Sequence, residues 1–339
     1  MSNKSLIRTN IDFDAKGFQR GTLRIPYSSD RSAYGHIPVP IFVAAHGQGP
    51  SVLLIGGNHG DEFEGPVALQ HLMKEVRLEN LSGRLIFLPS LNLPALRAGR
   101  RTSPIDGGNL NRSFPGNRTG TPTEMLAHFL ESELFAKADF VFDFHSGGAS
   151  LAHLPILFLK RPRTESESAL TLRVATAFGC ERVRYLNFEY GEGRTSMEAI
   201  LRNEKFFISG EFGGGGSLSS EGVDLIRQGT ARVLQELGVL RGENTEVFSS
   251  RRPAAFEFFA PEHHVYAPCS GLFEAAVAMG DTVEAGQFAG FIHDPVEPWR
   301  DARELRFNAG GVVICMRQSV VTDAGDCLLQ LAIPMQSPV

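Results

Sequence analysis

Three apolar runs in this chain end on side chains that bind metal ions or move protons. SVLLIGG (51–57) leads into Asn58-His59-Gly60-Asp61-Glu62, ADFVFDFH (138–145) ends on His145, and FFISG (206–210) leads into Glu211. Two imidazoles and one carboxylate, with a further position left to water, make a common catalytic zinc shell. His59 and Glu62 stand three residues apart, so one turn of helix-like backbone directs both at a single ion. The H-x-x-E pattern alone carries little weight, because His128-Phe-Leu-Glu131 has it too. That second instance falls inside an amphipathic helical stretch and reads as a solvated helix face. His59, Glu62, His145 and Glu211 are set apart by their shared position after strand-like runs. Asp143, two residues before His145, shares its face of a strand. It either orients an imidazole from behind or is a plain strand carboxylate.

A long loop adds polar groups with no helix or strand period: Arg100-Arg101-Thr-Ser-Pro-Ile-Asp106-Gly-Gly-Asn-Leu-Asn111-Arg112-Ser-Phe-Pro. Arg112 offers a planar fork that fits a carboxylate through two hydrogen bonds, and Asn111 can donate beside it. The bland alternative is a solvated basic loop, which has more weight for Arg101 than for Arg112.

The elements that must position these groups are legible from residue 51 onward. The runs at 51–57, 84–90, 138–145, 154–159 and 206–212 are almost continuously apolar, as strands covered on both faces should be. Helical stretches alternate with them. GPVALQHLMKEV (65–76) has an apolar face. TPTEMLAHFLESELFAK (121–137) opens with Thr121 as N-cap, Pro122 in the first turn and Glu124 three residues on, the pattern of a capping box. SALTLRVATAFG and GVDLIRQGTARVLQELG end on Gly179 and Gly238, as C-cap glycines would. The alternation predicts an α/β domain with a mixed, largely parallel sheet flanked by helices. Ligands bind such sheets beyond the carboxyl ends of the strands, so the strand-end residues are expected to converge.

The predicted organisation has three parts: an N-terminal β segment (1–44) packed on the catalytic domain, the catalytic domain itself (45–245), and a C-terminal β domain (255–339). A polar stretch at 241–256 reads as the linker. Beyond it, 270–292 and 310–332 resemble each other in their glycine, turn and strand spacing. The pattern is similar to the quasi-twofold repeat of barrel-sandwich domains that carry biotin or lipoate. Those domains use a hairpin lysine, whereas the last lysine here is Lys205. The C-terminal domain is therefore expected to serve as a lid over the strand ends rather than as a carrier.

Composition narrows the classes further. The 339 residues are 42% apolar, enough for a large core, and the net charge of −5 is spread over 33 basic and 38 acidic residues. Without a basic stripe, nucleic acid is not an expected partner. No apolar run approaches the roughly 18 residues that span a bilayer, so no membrane partner is expected. Cys180, Cys269, Cys315 and Cys327 form no C-x-x-C pair and read as reduced, mostly buried thiols of a cytoplasmic protein.

Taken together, GGNHGDE, DFHSGG, NLNRSFPG and GEFGGGG, in this order across residues 45 to 240, resemble the succinylglutamate desuccinylase/aspartoacylase family, relatives of the zinc carboxypeptidases. NHGDEFEGP with the NLNRSFPG loop is similar to its N-acetyl-diaminobutyrate deacetylase subgroup. The resemblance implies one Zn2+ per subunit on His59, Glu62 and His145, and Glu211 as general base. It implies Asn111 and Arg112 as binders of the substrate's carboxylate. It also implies an upstream arginine that polarises the scissile carbonyl, for which Arg101 is the better match and the adjacent Arg100 the alternative. The implied reaction is hydrolysis of the amide of a small N-acyl amino acid, of N-acetyl or N-succinyl type. Glu211 would take a proton from a water acidified by zinc and hand it to the leaving amine. A peptide-cleaving zinc carboxypeptidase and a non-catalytic binding module are the rival readings. Homo-oligomerisation is left open by the sequence.

Overall fold

A computed structural model describes residues 4–186, 193–242, 252–258 and 260–335. The apolar runs form strands buried on both faces: every residue of Ser51–Gly56 is buried, and Phe140–His145 is buried past its first residue. Alternating side chains enter two separate cores, as a period of two requires. Leu53, Ile55, Val141 and Phe207 face one core. Val52, Leu54, Phe142, Phe144 and Ile208 face the other, covered by Leu69, Leu72, Val174, Phe178, Ile226 and Val233 from helices.

The central strands follow the order Gly17–Pro26, His36–His46, Gly83–Leu88, Ser51–Gly56, Phe140–His145, Phe206–Glu211, Ile156–Lys160, Arg182–Leu186. Four of the seven neighbouring pairs are parallel and three antiparallel. The sheet is thus mixed, with less parallel pairing than the alternation implied. The N-terminal hairpin and the reversed strand Ile156–Lys160 supply the antiparallel pairs. The three strands that matter most, Ser51–Gly56, Phe140–His145 and Phe206–Glu211, run parallel side by side, with Gly56 opposite Phe144 and His145 opposite Glu211. Their carboxyl ends therefore share one edge.

The helix signals hold with local changes. Glu64–Glu75 follows the first strand end. Pro122–Phe129 carries the reciprocal Thr121/Glu124 capping box, then continues as a π turn at Leu130–Leu134 and a tighter turn at Phe135–Lys137. Glu165–Phe178 stops at Gly179, whose φ is 80°. Ser220–Glu236 stops two residues before Gly238. A short helix, Ser196–Arg202, was not foreseen, although T-S-M-E at 195–198 is a capping box that closes in the structure. None of the described helices is long and apolar enough to cross a membrane. Cys180 and Cys315 are buried thiols, whereas Cys269 is exposed, so burial is less general than expected.

The C-terminal region is joined to the central sheet rather than laid over it. Ala254–Glu257 pairs in parallel with Arg182–Leu186 and antiparallel with Cys327–Pro334. The polar linker expected over 241–256 therefore gives way to a strand at its end, while 243–251 lies outside the described residues. Gly311–Arg317 pairs with both Cys327–Pro334 and Leu151–His153. A second, four-stranded sheet runs in the order Arg303–Arg306, Phe288–His293, Gly271–Ala275, Val321–Thr322. At the junction Ile156, Phe256, Phe258, Ile314 and Ala332 are buried together. This cluster and the shared sheet tie the region to the central sheet.

Phe212, the residue after Glu211, shows how packing holds the strand end. It has no exposed surface, and its ring lies 6.0 Å from that of Phe144 and 5.6 Å from that of Phe178. Phe212→Ala is expected to cost about 3–5 kcal/mol through lost transfer energy and a cavity. Urea unfolding of the metal-free protein measures this, and a loss below about 1 kcal/mol would contradict the anchoring role.

Candidate active site

The carboxyl ends of the three parallel strands bring His59, Glu62 and His145 together, with one ligand atom from each lying within 4.8 Å of the others. His59 and Glu62 lie in the turn that separates Ser51–Gly56 from helix Glu64–Glu75. Glu62 bridges the two imidazoles: Oε1 is 2.7 Å from His59 Nδ1 and Oε2 is 2.8 Å from His145 Nδ1. The far side of each ring is also held. His59 Nε2 is 3.2 Å from Asn109 Oδ1, and His145 Nε2 is 3.2 Å from Asp143 Oδ2. Both rings are thereby locked with Nδ1 facing the carboxylate, as polar partners behind metal-bound histidines do.

Electrostatics agree with a cation site. Burial acts to raise the Glu62 carboxyl, but charge and hydrogen bonds from His59 and His145 hold it well below the usual carboxylate range. Burial disfavours charge on His145, yet Asp143 and Glu62 outweigh it and keep the imidazole protonated well above its ordinary range. A dication held among these groups would take over the neutralising role of the His145 proton, with release of that proton. Two nitrogen donors and one carboxylate suit zinc.

Asp143 does more than a plain strand carboxylate. It has no exposed surface, and its Oδ2 accepts hydrogen bonds from Asn58 Nδ2 at 2.9 Å and from Ser196 Oγ at 2.5 Å. Ser196 also links to the loop, with its backbone N donating to Asn111 Oδ1 at 2.8 Å. Asn111 thus has its oxygen tied down by Ser196, which leaves its amide nitrogen as the group that can donate to a ligand. Asn58, Asn109 and Ser196 were not singled out by sequence reasoning. The one available signal was the capping box that starts a helix at Ser196.

Glu211 lies in the same cavity, as do Arg101, Asn111 and Arg112. Burial pushes the Glu211 carboxyl up to about 8, with Glu62 adding to the rise and His145 and Arg101 opposing it. Arg101 Nη1 stands 3.4 Å from Glu62 Oε1, its side chain 47% exposed. Arg100 instead gives its carbonyl to Gly60 N at 3.0 Å. His128 and Glu131 stay apart from the site: Glu131 binds the Arg202 guanidinium through both oxygens, each at 2.9 Å. The cavity, about 610 Å³, is closed on one side by Phe258, His264, Tyr266, Cys327 and Gln330 from the C-terminal region.

The sequence profile of the succinylglutamate desuccinylase/aspartoacylase catalytic domain matches residues 48–237. Over 98% of its length the chain is 36% identical to the N-alpha-acetyl-L-2,4-diaminobutyric acid deacetylase of Halomonas elongata, covering 96% of that protein. Among solved structures, the product-bound ectoine utilization protein EutE (DoeB) of Ruegeria pomeroyi superposes with a TM-score of 0.90 at 34% identity, covering 97% of this chain and 99% of that one. A succinylglutamate desuccinylase from Silicibacter sp. TM1040 also gives a TM-score of 0.90, at 33% identity, covering 98% of this chain and 99% of that one.

Proposed function

This chain belongs to the succinylglutamate desuccinylase/aspartoacylase family, and on that footing we propose that it is a zinc-dependent deacylase. Its substrate is a small N-acyl amino acid, with the Nα-acetyl form of 2,4-diaminobutyrate the first candidate by likeness to the Halomonas enzyme. One observation carries the reading. The Glu62-bridged imidazoles, the half-buried Glu211 and the Asn111–Arg112 pair all line one cavity of about 610 Å³. That volume lies within the range for small-molecule sites, about 300–1,000 Å³. The C-terminal wall also leaves less room for the peptide that a carboxypeptidase requires.

His59, Glu62 and His145 would hold the metal, which when bound supplies a Lewis acid that polarises a carbonyl and acidifies water. The remaining chemistry falls to the chain itself. Glu211 accepts a proton from the attacking water and returns it to the leaving amine nitrogen, a role suited to a carboxyl whose burial raises its proton affinity. Arg101 contributes positive charge where the carbonyl oxygen becomes an oxyanion. Arg112 and the amide nitrogen of Asn111 hold the substrate's carboxylate, which fixes the amide relative to Glu211. Residues 45–245 make up the catalytic domain, with 1–44 packed against it. The C-terminal β domain, 255–339, has a barrel-sandwich-like form and serves as the wall of the pocket. We place the enzyme in the cytoplasm, with no nucleic-acid or membrane partner.

The test is a screen of the zinc-loaded protein against N-acetyl, N-succinyl and N-formyl amino acids and a C-terminally free peptide, reading released amine. Turnover of N-acyl amino acids, with Nα-acetyl-2,4-diaminobutyrate among the best, is the expected result. Cleavage of the peptide alone would overturn the reading in favour of a carboxypeptidase.

A further inference from the structure

The segment Asp61-Glu62-Phe63-Glu64 puts three carboxylates within four residues, and all three are buried. Only Glu62 bridges the imidazoles. The other two each reach a different loop. Asp61 Oδ2 accepts a hydrogen bond from Ala149 N at 2.9 Å, in the turn that follows His145. Glu64 Oε1 accepts from Gly214 N at 3.2 Å and Ser219 N at 3.1 Å, in the loop that follows Glu211. These two loops are bonded to each other. Gly147 N donates to Gly213 O at 3.0 Å, Gly216 N to Gly148 O at 2.9 Å, and Gly215 N to Leu151 O at 2.8 Å.

The glycines of both loops supply an independent observation. A Cβ on Gly148 would stand 2.5 Å from Asp61 Oδ2, and one on Gly213 would stand 2.6 Å from Glu64 Oε1. No side chain fits between either carboxylate and its loop, so the backbone comes close enough for its N–H groups to reach the acid. Glu64 lies in the first turn of its own helix and accepts from Ser219, the N-cap of Ser220–Glu236. Two helix N-termini, each with partial positive charge, therefore face it.

We propose that Asp61 and Glu64 are positioning residues that set the placement of His145 and Glu211 relative to Glu62. One short segment thus carries a metal-binding carboxylate between two clamps, each holding the loop behind one of the other two strand-end residues. Neither clamp touches the reacting atoms. Their effect comes through the backbone N–H bonds they accept, which leave orphaned backbone donors when removed. The inference rests on the reading of Glu211 as general base. A misplacement of about 1 Å in such a group costs on the order of 10²-fold in rate.

The test compares Glu64→Gln, which keeps the reach of the acceptor and loses its charge, with Glu64→Asp, which keeps the charge and loses the reach. Both are measured in the zinc-loaded protein for kcat, KM and metal content, and the Gly214 and Ser219 amides are followed by hydrogen exchange. Glu64→Asp is expected to lose kcat by about tenfold or more, with KM and zinc stoichiometry unchanged and faster exchange at both amides. Glu64→Gln is expected to restore kcat and protection to near wild type, which a purely electrostatic role would not allow. Asp61→Asn and Asp61→Ala form the matching pair for the His145 loop. Full kcat in Glu64→Asp, or a Glu64→Gln variant as slow as Glu64→Asp, would overturn the proposal. Failure of the wild-type protein to release amine from any N-acyl amino acid would instead sink the reading of Glu211, a result the exchange data do not share.

Discussion

Replacing His145 with alanine is expected to strip most of the zinc and nearly all of the activity from the protein while leaving it folded. With one of three protein donors gone, the remaining imidazole and carboxylate cannot complete a catalytic zinc shell. The fold should survive because the partners His145 leaves behind are each held elsewhere. Glu62 keeps His59 at 2.7 Å and Arg101 at 3.4 Å. Asp143 keeps Asn58 and Ser196. The loss of stability is then that of under-satisfied buried acceptors, about 1–3 kcal/mol, against a core built on both faces of the sheet. Metal analysis after dialysis and a thermal melt check the two halves separately. Stoichiometric zinc in the variant would show that the ligand set is wrong.

The second large effect is at Glu211. Glu211→Gln is expected to keep zinc and substrate affinity but to lose kcat by about 10²–10⁴-fold, because an amide of the same shape cannot relay a proton. If zinc were lost instead, Glu211 would be a ligand and the site structural. The same substitution has a consequence for the metal-free protein. Burial, followed by the charge of Glu62, raises the Glu211 carboxyl from 4.5 to about 8. A group whose folded pKa is raised contributes stability that is complete below its unfolded pKa and is lost as pH rises through the folded one. Glutamine carries no such dependence. Metal-free Glu211→Gln should therefore gain stability relative to metal-free wild type between about pH 4.5 and about pH 8, which urea titrations at several pH values measure. A difference that does not change with pH would show that Glu211 is not held in a charge-disfavouring site.

What the sequence by itself determined follows from local rules. Periodicity located strands within 51–57, 138–145 and 206–212, because a strand covered on both faces must be apolar at nearly every position. Capping chemistry marked the starts and ends of the helices, since orphaned backbone groups need nearby side chains or a glycine turn. The residue types at three strand ends then pointed to one metal centre, because parallel strands place their carboxyl ends along one edge. Four motifs in order carried the family.

Only the tertiary structure decided the rest, and each case depends on partners distant in sequence. Asn58 and Ser196 meet on Asp143 although they are far apart along the chain, and nothing in their local sequence marks them as its partners. The strand Ile156–Lys160 is reversed relative to Phe206–Glu211, a direction that hydrophobic pattern does not encode. The C-terminal region is tied into the central sheet, because Ala254–Glu257 extends that sheet and Phe256 and Phe258 are buried with Ile156 and Ile314. Edge pairing of this kind is set by backbone hydrogen bonds, which are the same for every residue type and so leave almost no trace in the sequence.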